Sequence, residues 1–329
     1  MLFRSLAVTV FFAFLLTLIP FAVQAEDAQA DEGGIKTSTD LQFQISTLPE
    51  IKIHLSQSLV FPFLQGTGPL TKDNNLTTVF AAEVSPVSLN GMAEIIWTPA
   101  AFFLLSGGYL AGSGWNMSLG NGIGINTPQK EKGSFPGMAE TPRKAKIEGE
   151  AFDGLIWRTW GAATVQFDLG AVIPGDWTHV LFQSRQEFRY AAYTQASGCQ
   201  SWVFENDDGE NMNGWRYYAS YVLGYHMPQS PVLDTIAVMA ELNKSLYNLE
   251  GGDYWGDGLG EWMFSGLMNF SINSRFNTAF AAQFRTRRNH GISDFNNKDY
   301  FYRDFELFSR EGQRRILFYR AAVILNFKL

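Results

Sequence analysis

The chain has 329 residues and a formal net charge of −7, from 25 Lys and Arg against 32 Asp and Glu. Neutralising a phosphate backbone needs a basic surface, so nucleic acid is not an expected partner. One cysteine, Cys199, permits no internal disulfide, while 15% aromatic residues and 31 glycines suit strands and tight turns.

Residues 1–25 carry a single basic residue, Arg4, then an apolar run from Leu6 to Ile19 and small residues ending at Ala25. This reads as a secretory signal peptide cleaved after Ala25. Residues 26–49 are expected as a periplasmic leader, acidic and small as far as Asp40, and residues 50–329 as one β domain. Beyond Ala25 no stretch approaches the ~20 apolar residues of a helical span.

Strands then follow at period two. The segment 50–63 sets Ile51, Ile53, Leu55, Leu59, Phe61 and Phe63 against Lys52, His54, Ser56 and Ser58. Further strands are expected over 76–88 and 92–111, the latter carrying Pro99 at a position that needs a bulge or an edge. The segments 155–171, 178–193, 215–226, 233–247, 261–273 and 276–288 repeat the pattern, with Phe182, Phe188 and Tyr190 facing away from Arg185, Glu187 and Arg189. In the last strand, 316–329, Leu329, Phe327, Leu325, Val323, Ala321, Tyr319 and Leu317 form one apolar face, opposite Lys328, Asn326 and Arg320. These make ten strands; Leu41 to Ser46 and Lys298 to Phe308 are also strand-like, and entry of both would make twelve.

Short connections are expected at 88–91, 173–177, 227–233 and 273–275, with Asn90-Gly91 as a hairpin signal. Long ones are expected at 64–75, 112–154, 194–214, 248–260 and 289–314. Tight turns at one end and long loops at the other are the sidedness of a membrane barrel, and the even count puts both chain ends on the periplasmic side.

The leading segment, the strand pattern over 50–329 and the closing strand together resemble bacterial outer-membrane β-barrel proteins. The resemblance implies an all-β, closed antiparallel transmembrane β-barrel of ten strands, with twelve as the alternative. It also implies an integral place in the outer membrane, with the lipid bilayer and the outer-membrane assembly machinery as partners. The terminal residue in such proteins is usually Phe or Trp; here it is Leu329, two residues after Phe327.

The polar faces gather Arg158, Arg185, Glu187, Arg189, Arg216, Glu241, Arg285, Arg287 and Arg320, with Glu83, Glu94 and Asp168 opposing the arginines. Two uses are open. An arginine-lined lumen favours anions, giving a narrow porin-like channel for small solutes. A network of paired charges instead fills the barrel, leaving a plugged structure whose loops serve adhesion, binding or support. His54 and Ser56 share a face at a spacing resembling that of some outer-membrane lipid hydrolases, but no flanking motif accompanies them, and no catalytic residue is assigned. The acidic, aromatic stretches 202–210 and 253–258 match no established calcium loop, and Asp207, Asp208, His290 and Asp294 lie in different loops. No phosphate loop, Cys-His metal spacing or nucleotide fingerprint occurs, so neither a cofactor nor a metal is expected.

Overall fold

The computed structural model describes residues 34–47, 50–68, 70–118, 120–131, 141–173, 175, 179–197, 200–205, 207, 211–227, 229–246, 260–288 and 314–329, without the side chains of 126–131, 141–146, 171, 287–288 and 314–315. Its strands in chain order are β1 (Lys36–Ser46), β2 (Glu50–Pro62), β3 (Asn75–Val84), β4 (Ser88–Ala100), β5 (Phe103–Gly114), β6 (Asn116–Met117), β7 (Gly120–Asn121), β8 (Ile123–Glu131), β9 (Thr141–Glu148), β10 (Ile156–Asp168), β11 (Val180–Tyr193), β12 (Trp202–Phe204), β13 (Gly214–His226), β14 (Leu233–Ser245), β15 (Glu261–Asn273), β16 (Phe276–Arg288) and β17 (Arg314–Lys328).

Twelve of these strands close a barrel in the order β1, β2, β3, β4, β5, β10, β11, β13, β14, β15, β16, β17. Every neighbouring pair is antiparallel, and closure runs from Asp40 opposite Lys328 to Ser46 opposite Ala322. The ring leaves no open edge, which hydrocarbon requires because it offers backbone groups no other partners. Among the described residues no helix is long and apolar enough to cross a membrane.

The count is twelve, the larger of the two expected numbers, and the difference from ten arises at two places. The barrel begins at Lys36, inside the stretch expected as leader; β1 pairs with β2 along its whole length. The segment 92–111 is two strands, not one. It turns at Ala101-Phe102, just after Pro99, where the ladder between β4 and β5 also shifts register. Proline cannot donate to a ladder, so it marks the end of pairing. Lys298 to Phe308, the other strand-like candidate, lies outside the described residues.

Two turns also move. The hairpin between β3 and β4 is built on Pro86-Val87, not on Asn90-Gly91. Ser85 N donates to Ser88 O at 3.0 Å, and Val87 N to Ser85 Oγ at 3.1 Å. Proline pre-sets φ for the first central turn position. Asn90 and Gly91 instead continue β4, opposite Glu83 and Ala82. Because β1 precedes β2, the connection 63–74 leaves the barrel at the end that carries both chain termini, and not among the long loops. The opposite end, the loop end, receives the connections 47–49, 85–87, 115–155, 194–213, 246–260 and 289–313.

The outward face follows the period-two reading. Ile45, Ile51, Phe80, Ile95, Leu105, Val165, Phe182, Leu223, Val238, Phe264, Met268 and Phe280 are all exposed. Aromatic rows flank this aliphatic belt. At the loop end Tyr109, Trp157, Tyr190 and Trp215 touch in sequence across β5, β10, β11 and β13, at centroid spacings of 6.4, 5.2 and 5.5 Å. At the terminal end Phe327 packs between Phe43 (6.1 Å) and Phe276 (4.7 Å). Aromatic girdles on both rims of an apolar band are what the two membrane interfaces select.

One face in β17 is corrected. A register shift places Gln283 opposite Arg320 but Phe284 opposite Phe318, leaving Tyr319 as an extra residue. Such a bulge reverses the alternation. Ile316 and Phe318 are therefore the exposed residues of that half of the strand, in place of Leu317 and Tyr319.

Val238, 60% exposed near the middle of β14, tests the lipid-facing assignment. Val238→Arg is expected to cost about 2–4 kcal/mol of folding stability in lipid vesicles, read by urea titration. Unchanged stability would mean that this face does not meet lipid.

Candidate functional site

The inward face holds two groups of charges that meet within the barrel. On the wall formed by β2 to β4, Lys52 Nζ sits 3.3 Å from Glu50, 3.3 Å from Glu83 and 2.7 Å from Glu205. Glu50 also receives Arg320, whose Nε donates to Gln283 Oε1 at 2.5 Å; Gln283 in turn donates to Ser265 Oγ at 3.0 Å. One ammonium thus faces three carboxylates, and the surplus negative charge is taken up by Arg320 and by neutral donors.

The second group lies on β10 to β14. Arg185 bonds Glu187 at 2.9 Å and reaches Glu94 of β4 at 3.4 Å. Because β4 and β11 are not neighbours, separated by β5 and β10, this pair spans part of the lumen. Glu94 also accepts from Trp160 Nε1 at 3.2 Å. The indole lies over Gly108, and a Cβ there would occupy the ring's place, so the glycine makes room for the bridge. Arg189 lies 2.8 Å from Glu187 and stacks 4.2 Å from the Tyr218 ring, whose hydroxyl donates to Glu241 at 2.5 Å. Arg158 has Arg189 and Arg216 as electrostatic neighbours, besides Glu187 and Glu205, and its Nε is shielded from solvent without a hydrogen-bond partner.

Over these charges sits a folded cap. Strands β12, β8 and β9 form a small sheet from the loops 115–155 and 194–213. Its core is Ile123, Trp202 and Phe204 packed with Ile156, Tyr193 and Ala196 at the barrel rim. Asn213 ties the rim to it, with its Oδ1 accepting from Tyr193 N at 2.8 Å and Trp202 Nε1 at 3.0 Å. At the β3–β4 turn, two strands along from β10, Trp115 N donates to Val87 O at 2.9 Å, which continues the β4–β5 ladder into the first cap loop. Gly122 lies against the same carbonyl, where no side chain would fit.

Glu205 follows β12 directly and drops from the cap onto the wall. Its carboxylate accepts from Ser88 Oγ at 2.7 Å and Asn90 Nδ2 at 2.5 Å as well as from Lys52. Its backbone holds φ at 53°, a left-handed conformation that a non-glycine residue adopts at a cost of about 1–2 kcal/mol. Seating the carboxylate offsets that cost.

Of the residues singled out in the sequence, Arg158, Arg185, Glu187, Arg189, Arg216, Glu241 and Arg320 lie together on the inner wall, with Arg285 4.3 Å from the Tyr319 ring. The side chain of Arg287 lies outside the described residues. His54 turns to Glu83, with Nδ1 at 3.8 Å, and not to Ser56. Asp207 bonds within its own loop, to Phe204 N and Asn211. Asp208, His290, Asp294, Cys199 and 253–258 lie outside the described residues. Sequence reasoning missed Lys52, Trp160, Tyr218 and Glu205 as members of the inner network. Lys52 alternates with Ile51 and Ile53 and could have been found, and Trp160 shares the parity of Arg158 on β10; Glu205 sits in a loop with no such signal.

The fold and its interior define a closed transmembrane β-barrel of the outer-membrane kind, with an ion-paired lumen and a folded cap. No family model and no curated protein matches the chain. Among solved structures it is similar to a KdgM porin in complex with disordered oligogalacturonate (10% identity, TM-score 0.37, covering 89% of this chain and 99% of that one). It is also similar to the translocator domain of the autotransporter NalP from Neisseria meningitidis (9%, 0.37, 98% and 98%) and to an anion-selective porin from Comamonas acidovorans (6%, 0.31, 90% and 99%). Likenesses this distant transfer no solute and no partner.

Proposed function

We propose that the protein is an integral barrel of the bacterial outer membrane that acts as a narrow, anion-preferring channel for small solutes. The observation that carries this reading is the lopsided interior. Arg158, Arg185, Arg189 and Arg216 stand on adjoining strands of one wall, with Glu187 among them and the other carboxylate of those strands, Asp168, away at the terminal end of β10. Guanidinium groups in a confined aqueous path attract anions and repel cations. The belt and girdles supply the bilayer contact, and the apolar face of β17 is the segment for the assembly machinery to read. In this orientation the chain ends face the periplasm and the cap faces outward.

Planar-bilayer recording in a KCl gradient tests the channel. The reversal potential is expected on the chloride side, and Arg158→Glu with Arg189→Glu is expected to move it toward the potassium side. Cation preference in the unaltered protein, or silence even after the cap has been loosened, would overturn the reading. A second reading, a capped barrel that presents its outer loops for adhesion or binding, is favoured by the seating of Glu205. It predicts silence in both forms and loss of surface attachment when 115–155 is shortened.

A further inference from the structure

At the end of the barrel opposite the cap, four residues form a row that the charged network does not use. In strand order they are Asp168 at the end of β10, His179 just before β11, His226 at the end of β13 and Asp234 in β14. The ladder between β11 and β13 ends at Val180 opposite Tyr225, and His226 N donates to His179 O at 3.0 Å. The two histidines are therefore directly opposed, and opposed residues of an antiparallel pair share a face with Cβ atoms about 4.5–5.5 Å apart. Their alternation with Arg185 on one strand and Arg216 on the other puts that face inside the barrel.

Each imidazole is held by a carboxylate on its far flank. His179 Nδ1 lies 3.2 Å from Asp168 Oδ2; His226 Nδ1 lies 3.4 Å from Asp234 Oδ1 and 3.1 Å from the Asp234 carbonyl. The carboxylates are themselves fixed: Asp168 accepts from Gly170 N at 2.8 Å, and Asp234 accepts from Thr235 Oγ1 at 2.8 Å and Asn269 Nδ2 at 3.2 Å. Gly170 leaves the space that the His179 ring fills; a Cβ there would collide with it. A carboxylate on Nδ1 sets the tautomer with the proton on that nitrogen, leaving the Nε2 lone pair for a ligand, and this is the usual outer shell of a metal-binding histidine.

We propose that His179 and His226 form a two-nitrogen site for a divalent transition ion, such as Zn²⁺ or Ni²⁺, at the terminal mouth. Both Nδ1 atoms are engaged on the outer flanks of the pair, by Asp168 of β10 and Asp234 of β14, which leaves the two Nε2 atoms for the ion. The ring centroids are 5.8 Å apart, edge to face. Two imidazoles sharing an ion at about 2.0–2.1 Å per bond place their centroids roughly 5–6 Å apart, so only rotation about the broad χ2 torsion is needed. No set of three or more His, Cys, Asp or Glu among the described residues makes a ready cage. The ion would therefore keep open positions for water or for a donor on a passing solute. Imidazole suits Zn²⁺ and Ni²⁺, whereas Mg²⁺ and Ca²⁺ prefer oxygen. The site is independent of the channel reading above.

Calorimetric titration of Zn²⁺ and Ni²⁺ into the untagged, refolded barrel in detergent is the test, with Mg²⁺ as the comparison ion. The expected result is saturable binding of one Zn²⁺ or Ni²⁺ per barrel, absent with Mg²⁺. His226→Ala and His179→Ala should each abolish it, Asp168→Asn should weaken it roughly tenfold or more, and His54→Ala should leave it unchanged. Cu²⁺ bound to the unaltered barrel should show two nitrogen ligands by electron paramagnetic resonance. The native, heat-modifiable gel band verifies that each variant is folded. Binding that survives both His→Ala changes, or no binding above the detergent blank, overturns the proposal.

Discussion

If the barrel is the channel proposed above, Glu205→Gln is expected to raise its open population by an order of magnitude or more in planar bilayers. The carboxylate joins the cap to the β2–β4 wall through Lys52, Ser88 and Asn90, all within 2.7 Å. Hydrogen bonds to a charged group contribute about 1.5–3 kcal/mol each, and about 1.4 kcal/mol is a tenfold change in an equilibrium. Glutamine keeps the shape but removes the charge that Lys52 neutralises, so the seated state loses about one such bond. Glu205→Ala goes further, because Ser88 is fully buried and would lose its carboxylate acceptor. Glu205→Gly separates the latch from the backbone. It relieves the positive φ of 53° yet removes the carboxylate, and should behave like alanine. A glycine variant as closed as the unaltered protein would show that the carboxylate does not hold the cap.

The second large effect is expected at Arg185. Arg185→Gln leaves Glu94, whose side chain is only 15% exposed, without its cation, while Glu187 keeps Arg189 at 2.8 Å. Removing one partner of a buried pair costs about 3–5 kcal/mol, because the remaining charge stays out of water uncompensated. The urea midpoint in lipid vesicles should fall accordingly. Removing both sides at once, in Arg185→Leu with Glu94→Leu, should cost less than the single change, since two apolar side chains leave no orphaned charge. Lys72→Ala is the contrast. Its pair with Asp73 is well exposed at 3.9 Å, and such pairs contribute at most about 1 kcal/mol. Equal losses at Lys72 and Arg185 would mean that the lumen is as wet as the surface, and that the bridge to Glu94 does not narrow it.

The two expectations separate what closes the barrel from what holds it together. Glu205 comes from a loop and can leave its seat without disturbing a strand. Arg185 and Glu94 belong to the wall, and their contact needs the curvature of the sheet across β5 and β10. A conductance change at Glu205 with unchanged stability, together with a stability change at Arg185, would place the gate in the cap.

Legibility in the sequence followed the range of the interaction involved. The outward faces of β2, β11, β15 and β16 could be read directly, because alternation is set by neighbouring residues on one strand. The inward position of Arg158, Arg185, Glu187 and Arg189 came with it. Alternation alone left the strand number between ten and twelve, because a long apolar run hides a two-residue turn after Pro99, and because β1, strand-like from Leu41 to Ser46, begins with the polar stretch 36–40. Asn90-Gly91 misled because a strong local turn preference was overridden: Gly91 faces open space on the outer wall and Asn90 bonds Glu83 and Glu205 inside. In β17 the bulge at Tyr319 left no trace in a sequence whose two faces are both largely apolar.

What the amino-acid sequence by itself determined is the kind of protein this is: strands with one greasy and one charged face, rimmed by aromatics, in numbers that demand closure. Period two is a local property, and it survives any error in counting turns. Only the tertiary structure decided which charges meet. Lys52 and Glu205 are 153 positions apart, and Arg185 and Glu94 are 91 apart. Whether such groups touch depends on the accumulated stagger of all twelve strands and on how two long loops pack together. Each is a sum over the whole ring that no single segment encodes.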